Sequence, residues 1–102
     1  MTPEAIAQAN DQLREKSPQE VVEWAIAQSD GRAIVSTNFR PYEAVILHLV
    51  TQAQPDIPVL WVDHGYNREA TYKHAEELKA RLDLNIQAFV PKLTAAYYDA
   101  VH

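Results

Sequence analysis

The sequence predicts an α/β protein of Rossmann-like type, a three-layer α/β/α arrangement around a parallel sheet of about three strands. Continuous apolar runs at 33–35 and 57–62 and a shorter strand pattern at 85–90 support this fold class, with long helical patterns between them. Continuous apolar runs indicate strands buried on both faces, which is typical of parallel sheets covered by helices. We therefore expect parallel strands near 32–36, 57–63 and 85–90, joined by right-handed helical crossovers.

Two helix-start signals precede the first strand. Thr2-Pro3-Glu4 combines an N-cap residue, a proline at the first helical position and an acidic first turn. Ser17 and Glu20 have the spacing of a capping box and start a second helix. The sequence thus predicts one domain over 1–102, with N-terminal helices at 2–30 and a βαβαβ unit at 31–102.

The polar loop after the first strand is the first candidate ligand site. It comprises Ser36, Thr37, Asn38, Phe39 and Arg40. Pro41 suits the first position of a helix predicted over 42–53, and a helix start offers free N–H groups and a positive dipole end to an anion. Thr37 or Asn38 could add donors, and Arg40 a charge matched to phosphate. An ordinary capped helix explains the same pattern, because the loop lacks the glycines of common phosphate-binding motifs.

Three later helices are predicted from apolar spacing and capping residues. For helix 42–53 we expect an inward face, which comprises Val45, Ile46, Leu49 and Val50. Asn67 is predicted to cap a helix over 68–82, and another helix begins around Thr94. Helices 42–53 and 68–82 are the crossovers that a parallel sheet requires.

A second candidate loop follows the second strand. Val62 ends that strand, and Asp63, His64, Gly65 and Tyr66 follow it. The carboxyl ends of parallel strands are where ligands bind in such folds, so the two loops are expected at one edge of the sheet. Asp63 is either a cap for nearby N–H groups or a ligand contact. No metal site is expected from Asp63 and His64, because adjacent strand residues point to opposite faces and no third ligand is evident.

Composition narrows the function classes. The chain has 102 residues, 47% of them hydrophobic, a net charge of −5 and no cysteine. The acidic balance argues against a general nucleic-acid surface, and no apolar window approaches the length of a membrane span. Without cysteine we expect no disulfide, iron–sulfur cluster or thiol chemistry in this chain. No signal-peptide pattern is present, so the default compartment is the cytoplasm.

Three features resemble the phosphoadenylyl-sulfate (PAPS) reductase family of the adenine-nucleotide α-hydrolase, or ATP-pyrophosphatase-like, superfamily. They are a small polar loop with Phe39 before a helix ending in LHLV, the phrase PDIPVLWVDHGY, and TYKHAEEL followed by LDLNI. Their order and spacings also agree, over roughly residues 17–102. The resemblance implies an adenine-nucleotide α-hydrolase-like fold with its nucleotide-binding part at 31–102.

The resemblance also implies roles for the two loops. The loop matching Ser36, Thr37, Asn38, Phe39 and Arg40 holds the sulfate or phosphate groups of the nucleotide in family members. The segment matching Val62, Asp63, His64, Gly65 and Tyr66 lies beside the adenosine. This sequence departs from the family with Asn38 where Ser is common, Arg40 where Gly is common, and His64 where Ser or Thr stands. The change at Arg40 puts close backbone approach to a phosphate in doubt, although its guanidinium could compensate.

The implied parent reaction is reduction of PAPS to sulfite and adenosine 3',5'-bisphosphate with thioredoxin or glutaredoxin. The family nucleophile is a cysteine in a C-terminal Glu-Cys-Gly-Leu-His segment, which is absent from this chain, and a reductase needs that thiolate. We therefore expect the nucleotide-binding N-terminal portion of a PAPS reductase-like protein, not a competent reductase, with no catalytic residue and no cofactor of its own. The expected ligand is PAPS or adenosine 3',5'-bisphosphate.

Two other functions stay open at this point. One is a non-catalytic adenine-nucleotide-binding or assembly module, which the lack of cysteine favours. The other is a relative of the ATP-pyrophosphatase-type small subunit of sulfate adenylyltransferase, which would favour an SGGxDS-type loop. We also expect a homodimer that buries apolar residues near the first strand and helix 94–102, because an exposed sheet edge promotes pairing. The alternative is a monomer whose N-terminal helices cover that edge.

Overall fold

A computed structural model describes all residues, 1–102, as five helices and three strands. In chain order they are α1 (Pro3–Leu13), α2 (Pro18–Gln28), β1 (Val35–Ser36), α3 (Glu43–Ala53), β2 (Pro58–Val62), α4 (Glu69–Leu82), β3 (Asn85–Phe89) and α5 (Ala95–Val101). None of the helices has both the length and the apolar character needed to cross a bilayer.

The three strands form one parallel sheet in the order β1–β2–β3. The α/β class and the parallel pairing are thus confirmed. The first strand is shorter than predicted, because only Val35 and Ser36 pair with β2, opposite Val59 and Leu60. All five residues of β2 pair with β3. Strand β2 is therefore central, and β1 is an edge strand.

The core lies between one face of the sheet and the helices α3 and α4, which contact each other. Val59 and Trp61 from β2 pack there against Leu47 of α3 and Leu78 of α4. Side chains alternate across a strand, so the residues between them, such as Leu60, point to the opposite face. One sheet face thus carries the packed core and fixes where the loops after β1 and β2 emerge.

The predicted inward face of α3 was wrong at two positions. Val45 and Ile46 are 63% and 49% exposed, whereas Leu47 is fully buried. Thr51 is also buried, and its hydroxyl is not left unpaired because it donates to the Leu47 carbonyl at 2.8 Å. The helix carries apolar residues on several of its sides. A threonine whose hydroxyl bonds to a backbone carbonyl of its own helix can face the core. Hydrophobic spacing therefore did not distinguish the buried stripe.

Capping residues were predicted with mixed success. The Thr2 hydroxyl accepts from the Ala5 amide, and Ser17 and Glu20 form the complete capping box. Asn67 does not cap α4, contrary to the prediction. Its side-chain amide donates to Asp63 at 3.1 Å, and α4 begins at Glu69 without a side-chain cap. The hydrogen bond to Asp63 thus keeps the Asn67 side chain in the loop, where it does not cap the helix.

Candidate functional site

The loop after β1 is anchored by a buried aromatic residue. Phe39 is 2% exposed and meets Trp61 edge-on, with ring centroids 4.9 Å apart. Its backbone is left-handed, with φ 55°, a conformation that is uncommon for a residue other than glycine. Packing of the ring against Trp61 holds it there. Pro41 follows in a turn, in which the Glu43 amide donates to the Arg40 carbonyl at 3.0 Å. The loop therefore has a defined shape before α3 begins.

Three donors of this loop converge on one carboxylate, that of Glu43. One of its oxygens accepts from the Thr37 hydroxyl at 3.0 Å and from the Asn38 amide at 2.9 Å. The other oxygen accepts from the Arg40 amide at 3.2 Å. Burial would raise the pKa of Glu43, but these donors, led by the Asn38 amide, hold that pKa below its ordinary value. Glu43 is thus an anion bound by the loop.

The loop after β2 is organised by Asp63. One of its oxygens accepts from the Gly65 amide at 2.9 Å, the Asn67 side chain at 3.1 Å and the Tyr72 hydroxyl at 2.8 Å. Burial would raise the pKa of Asp63, yet the Gly65 amide and the Tyr72 hydroxyl, with Asn67, keep it lowered. This carboxylate therefore links the strand end, the loop and the first turns of α4.

The same loop also contacts α5. The Tyr66 hydroxyl lies 3.1 Å from the Ala95 carbonyl and 3.0 Å from the Asp99 carboxylate. Gly65 has φ 86°, and a Cβ there would lie 3.4 Å from the Cβ of Ala95, so the position favours glycine. His64 stacks against Tyr66, with ring centroids 6.1 Å apart. Helix α5 is thus tied to the carboxyl edge of the sheet.

An open crevice of about 400 Å³ lies between the two loops. From the predicted site residues it brings together Asn38, Phe39 and Arg40 of the first loop with Val62 and His64 of the second. It is lined by the largely buried rings of Phe39 and Trp61 and by amide, hydroxyl, imidazole and guanidinium groups. Such a lining suits a ligand with a flat ring and an anionic end. The structure thus joins the two loops that the sequence predicted at one edge.

The other predicted residues lie outside this crevice. Ser36 and Thr37 line a smaller neighbouring depression of about 120 Å³ that also includes Glu43. Tyr66 lines a third depression of about 240 Å³ beside α5, which it shares with His64. Asp63 and Gly65 line none of these hollows, and Asp63 binds the Gly65 amide of its own loop and the Tyr72 hydroxyl of α4. The other eight predicted residues are therefore spread over three adjoining hollows.

Four residues that line the crevice were missed by sequence reasoning, and they are Pro41, Trp61, Asn67 and Thr71. Trp61 belongs to the apolar run of β2 and directly precedes Val62, so its place at the carboxyl end of the strand was a usable signal. Asn67 and Thr71 follow the second loop at the predicted start of the helix over 68–82, which was a usable signal for both.

Arg40 is the cation of the crevice. Its side chain is exposed and forms no ion pair, unlike Arg14 and Arg81. An unpaired guanidinium can bind a phosphate or sulfate through two parallel hydrogen bonds. The crevice therefore contains one guanidinium free of an ion pair and no thiol, since the chain has no cysteine.

Comparison with known proteins points to one family. The model of the phosphoadenosine phosphosulfate reductase domain matches residues 32–102. A phosphoadenosine 5'-phosphosulfate reductase from a Synechococcus strain is 37% identical over 96% of this chain and 42% of its own length. The corresponding reductase from Vibrio campbellii is 42% identical over 93% of this chain and 37% of its own length. The chain thus spans about two-fifths of the length of these relatives.

A solved structure supports the fold. The crystal structure of phosphoadenylyl-sulfate (PAPS) reductase from Candida auris, a phosphate complex, matches 100% of this chain and 50% of its own chain. The TM-score is 0.83 and the sequence identity 22%. At that identity the likeness concerns the fold alone. The parallel sheet and its helices are thus the same arrangement as part of that chain.

Proposed function

Because this chain belongs to the phosphoadenosine phosphosulfate reductase family, we propose that it is the nucleotide-recognising portion of a PAPS reductase-like protein. Its ligand is PAPS or adenosine 3',5'-bisphosphate, bound in the crevice between the loops after β1 and β2. The anionic end of the nucleotide pairs with Arg40, and the ring system lies toward His64 and Val62. The chain contains no cysteine and by itself supplies no thiolate for sulfur reduction.

The observation that carries this proposal is the meeting of Arg40 and His64 at one crevice. The two residues stand 24 positions apart in the sequence, on loops after neighbouring parallel strands. Ligands of open parallel α/β sheets bind beyond the carboxyl ends of the strands, where this crevice lies. Its exposed imidazole, on which a flat ring can stack, and its exposed guanidinium match the two chemical parts of an adenine nucleotide.

Isothermal titration with adenosine 3',5'-bisphosphate and with PAPS tests the proposal. We expect saturable binding to the wild-type chain and about tenfold weaker binding to Arg40→Ala, the loss of one charged contact. Arg81→Ala is the matched control, because it removes the same charge near the end of α4, and its affinity should equal wild type. Absence of binding to the wild-type chain would refute the nucleotide site. Equal affinity in both variants would remove Arg40 from it.

A non-catalytic assembly module is the second candidate, and the absence of cysteine favours it for this chain taken alone. It predicts partner binding without nucleotide affinity, so the same titration separates the two functions. The sulfate adenylyltransferase relative has less support, because the loop from Ser36 to Arg40 contains no glycine. A Gly-rich loop lets a backbone approach phosphate closely, and none is present here.

We also propose that this chain forms a homodimer through apolar residues near β1 and α5. Ile34, beside β1, is 61% exposed, and Tyr97 and Val101 of α5 are 53% and 56% exposed. The edge of β1 that faces away from β2 carries no partner strand. Unpaired strand edges and contiguous apolar surface favour association with another copy.

A further inference from the structure

The loop after β1 is an anion-binding cradle that already holds an anion of this chain. The hydroxyl of Thr37 and the amides of Asn38 and Arg40 all donate to the carboxylate of Glu43, over 2.9–3.2 Å. Both carboxylate oxygens take part, so the donors face one small volume. The left-handed backbone of Phe39 lies between the two amides. Loops of this kind form concave sites for phosphate and sulfate.

An external anion and Glu43 cannot share these donors. Each amide has one hydrogen to donate, and two negative charges within a few ångströms repel each other. The Glu43 carboxylate is half-buried and belongs to α3. Because it is part of the same chain, it cannot diffuse away from the cradle as a free anion can. It also remains charged near neutral pH, because the loop donors lower its pKa. The donors of the cradle are therefore already bonded to Glu43 when a nucleotide phosphate approaches.

We propose that Glu43 excludes the phosphate or sulfate of the ligand from the Thr37–Arg40 cradle and thereby directs it to the Arg40 side chain in the crevice. Glu43 is then a specificity-determining residue of the nucleotide site, and this role rests on the proposed function. The two donor groups of Arg40 differ in the same way. Its backbone amide donates to Glu43, whereas its guanidinium forms no ion pair and is free to bind the ligand's anion.

Inorganic phosphate is the probe that tests this role, measured by isothermal titration with Glu43→Ala and Glu43→Gln. We expect phosphate to bind Glu43→Ala about tenfold more tightly than wild type, since the cradle is emptied. Glu43→Gln keeps the size of the side chain and removes its charge, so a smaller gain is expected. The gain of Glu43→Ala should persist when Arg40→Ala is added, because the new site uses the loop amides. Glu76→Gln, an exposed carboxylate of α4, is the control for net charge and should match wild type.

Two outcomes would overturn the role of Glu43. One is equal or weaker phosphate binding in both variants, each shown to be folded by its near-ultraviolet circular dichroism. The other comes from Arg40→Ala, which keeps Glu43 in the cradle and removes the competing guanidinium. If phosphate saturably shifts the Asn38 amide resonance of that variant in a nitrogen–proton NMR titration, the cradle is open in the presence of Glu43 and the proposal fails. Failure of the nucleotide site has a different signature, the absence of nucleotide binding to the wild-type chain whatever phosphate does in the variants.

Discussion

At the scale of single residues, the hydrogen bond between Asp63 and Tyr72 gives a prediction about acid stability. The folded-state pKa of Asp63 is lowered, so its bonds stabilise the fold above the unfolded-state pKa of about 3.9. That contribution is lost as the pH falls through the folded-state pKa. Tyr72→Phe removes one donor at 2.8 Å, and the pKa of Asp63 should rise toward its ordinary value. We therefore expect the free energy of unfolding of the variant to fall less between neutral and acid pH, as measured by urea denaturation over a pH series.

Tyr42→Phe is the matched control for this change. Tyr42 is 90% exposed, and its hydroxyl makes no hydrogen bond within the chain. Its substitution should leave the free energy of unfolding with the same pH dependence as in wild type. Glu43, whose pKa is also lowered, contributes to that dependence in the same direction in all three proteins. Parallel pH profiles for Tyr72→Phe and wild type would show that the Tyr72 hydroxyl does not hold the charge of Asp63.

At the scale of elements, α3 predicts which of two neighbouring positions supports the fold. Leu47 is fully buried between α3 and the sheet, and Leu47→Ala should lower the free energy of unfolding by about 2–5 kcal/mol. Val45 is 63% exposed on the same helix, and Val45→Ala should change it by less than about 0.5 kcal/mol. Urea denaturation of both variants at pH 7 measures the difference. Similar losses at the two positions would mean that α3 packs in a different rotation.

The elements also show what sequence patterns can and cannot predict. Strand order and direction followed from continuous apolar runs and long crossovers, because few topologies satisfy both. The buried stripe of α3 did not follow, since apolar residues surround it and Thr51 satisfies its own hydroxyl. The loops of the candidate site were predicted from their place after strands. The role of Glu43 was missed because donors alone were counted, although its position in the first turn of α3, three residues after Arg40, was a usable signal.

At the scale of the whole molecule, the shape shows how little of this chain is enclosed. The radius of gyration is 17.0 Å, against about 13 Å for a compact domain of about 100 residues. Only 12 of 102 residues are buried, so most apolar side chains keep some contact with water. On the sheet face opposite the core, Val62 and Phe89 occupy paired positions and are 60% and 55% exposed. Covering such apolar surface with another polypeptide removes it from water, which makes association favourable.

The proposed homodimer therefore leads to a measurable consequence at this scale. Light scattering across a concentration series should give a mass of two chains, each of 11.6 kDa, at high micromolar concentration. Ile34→Lys places a charge beside the edge strand β1 and should shift the mass toward one chain, because a buried unpaired charge opposes association. Ile46→Lys is the matched control, since Ile46 is 49% exposed on α3, away from β1 and α5. A mass of one chain for the wild type throughout the series would refute the dimer, and equal effects of the two substitutions would exclude the surface near β1 as its interface.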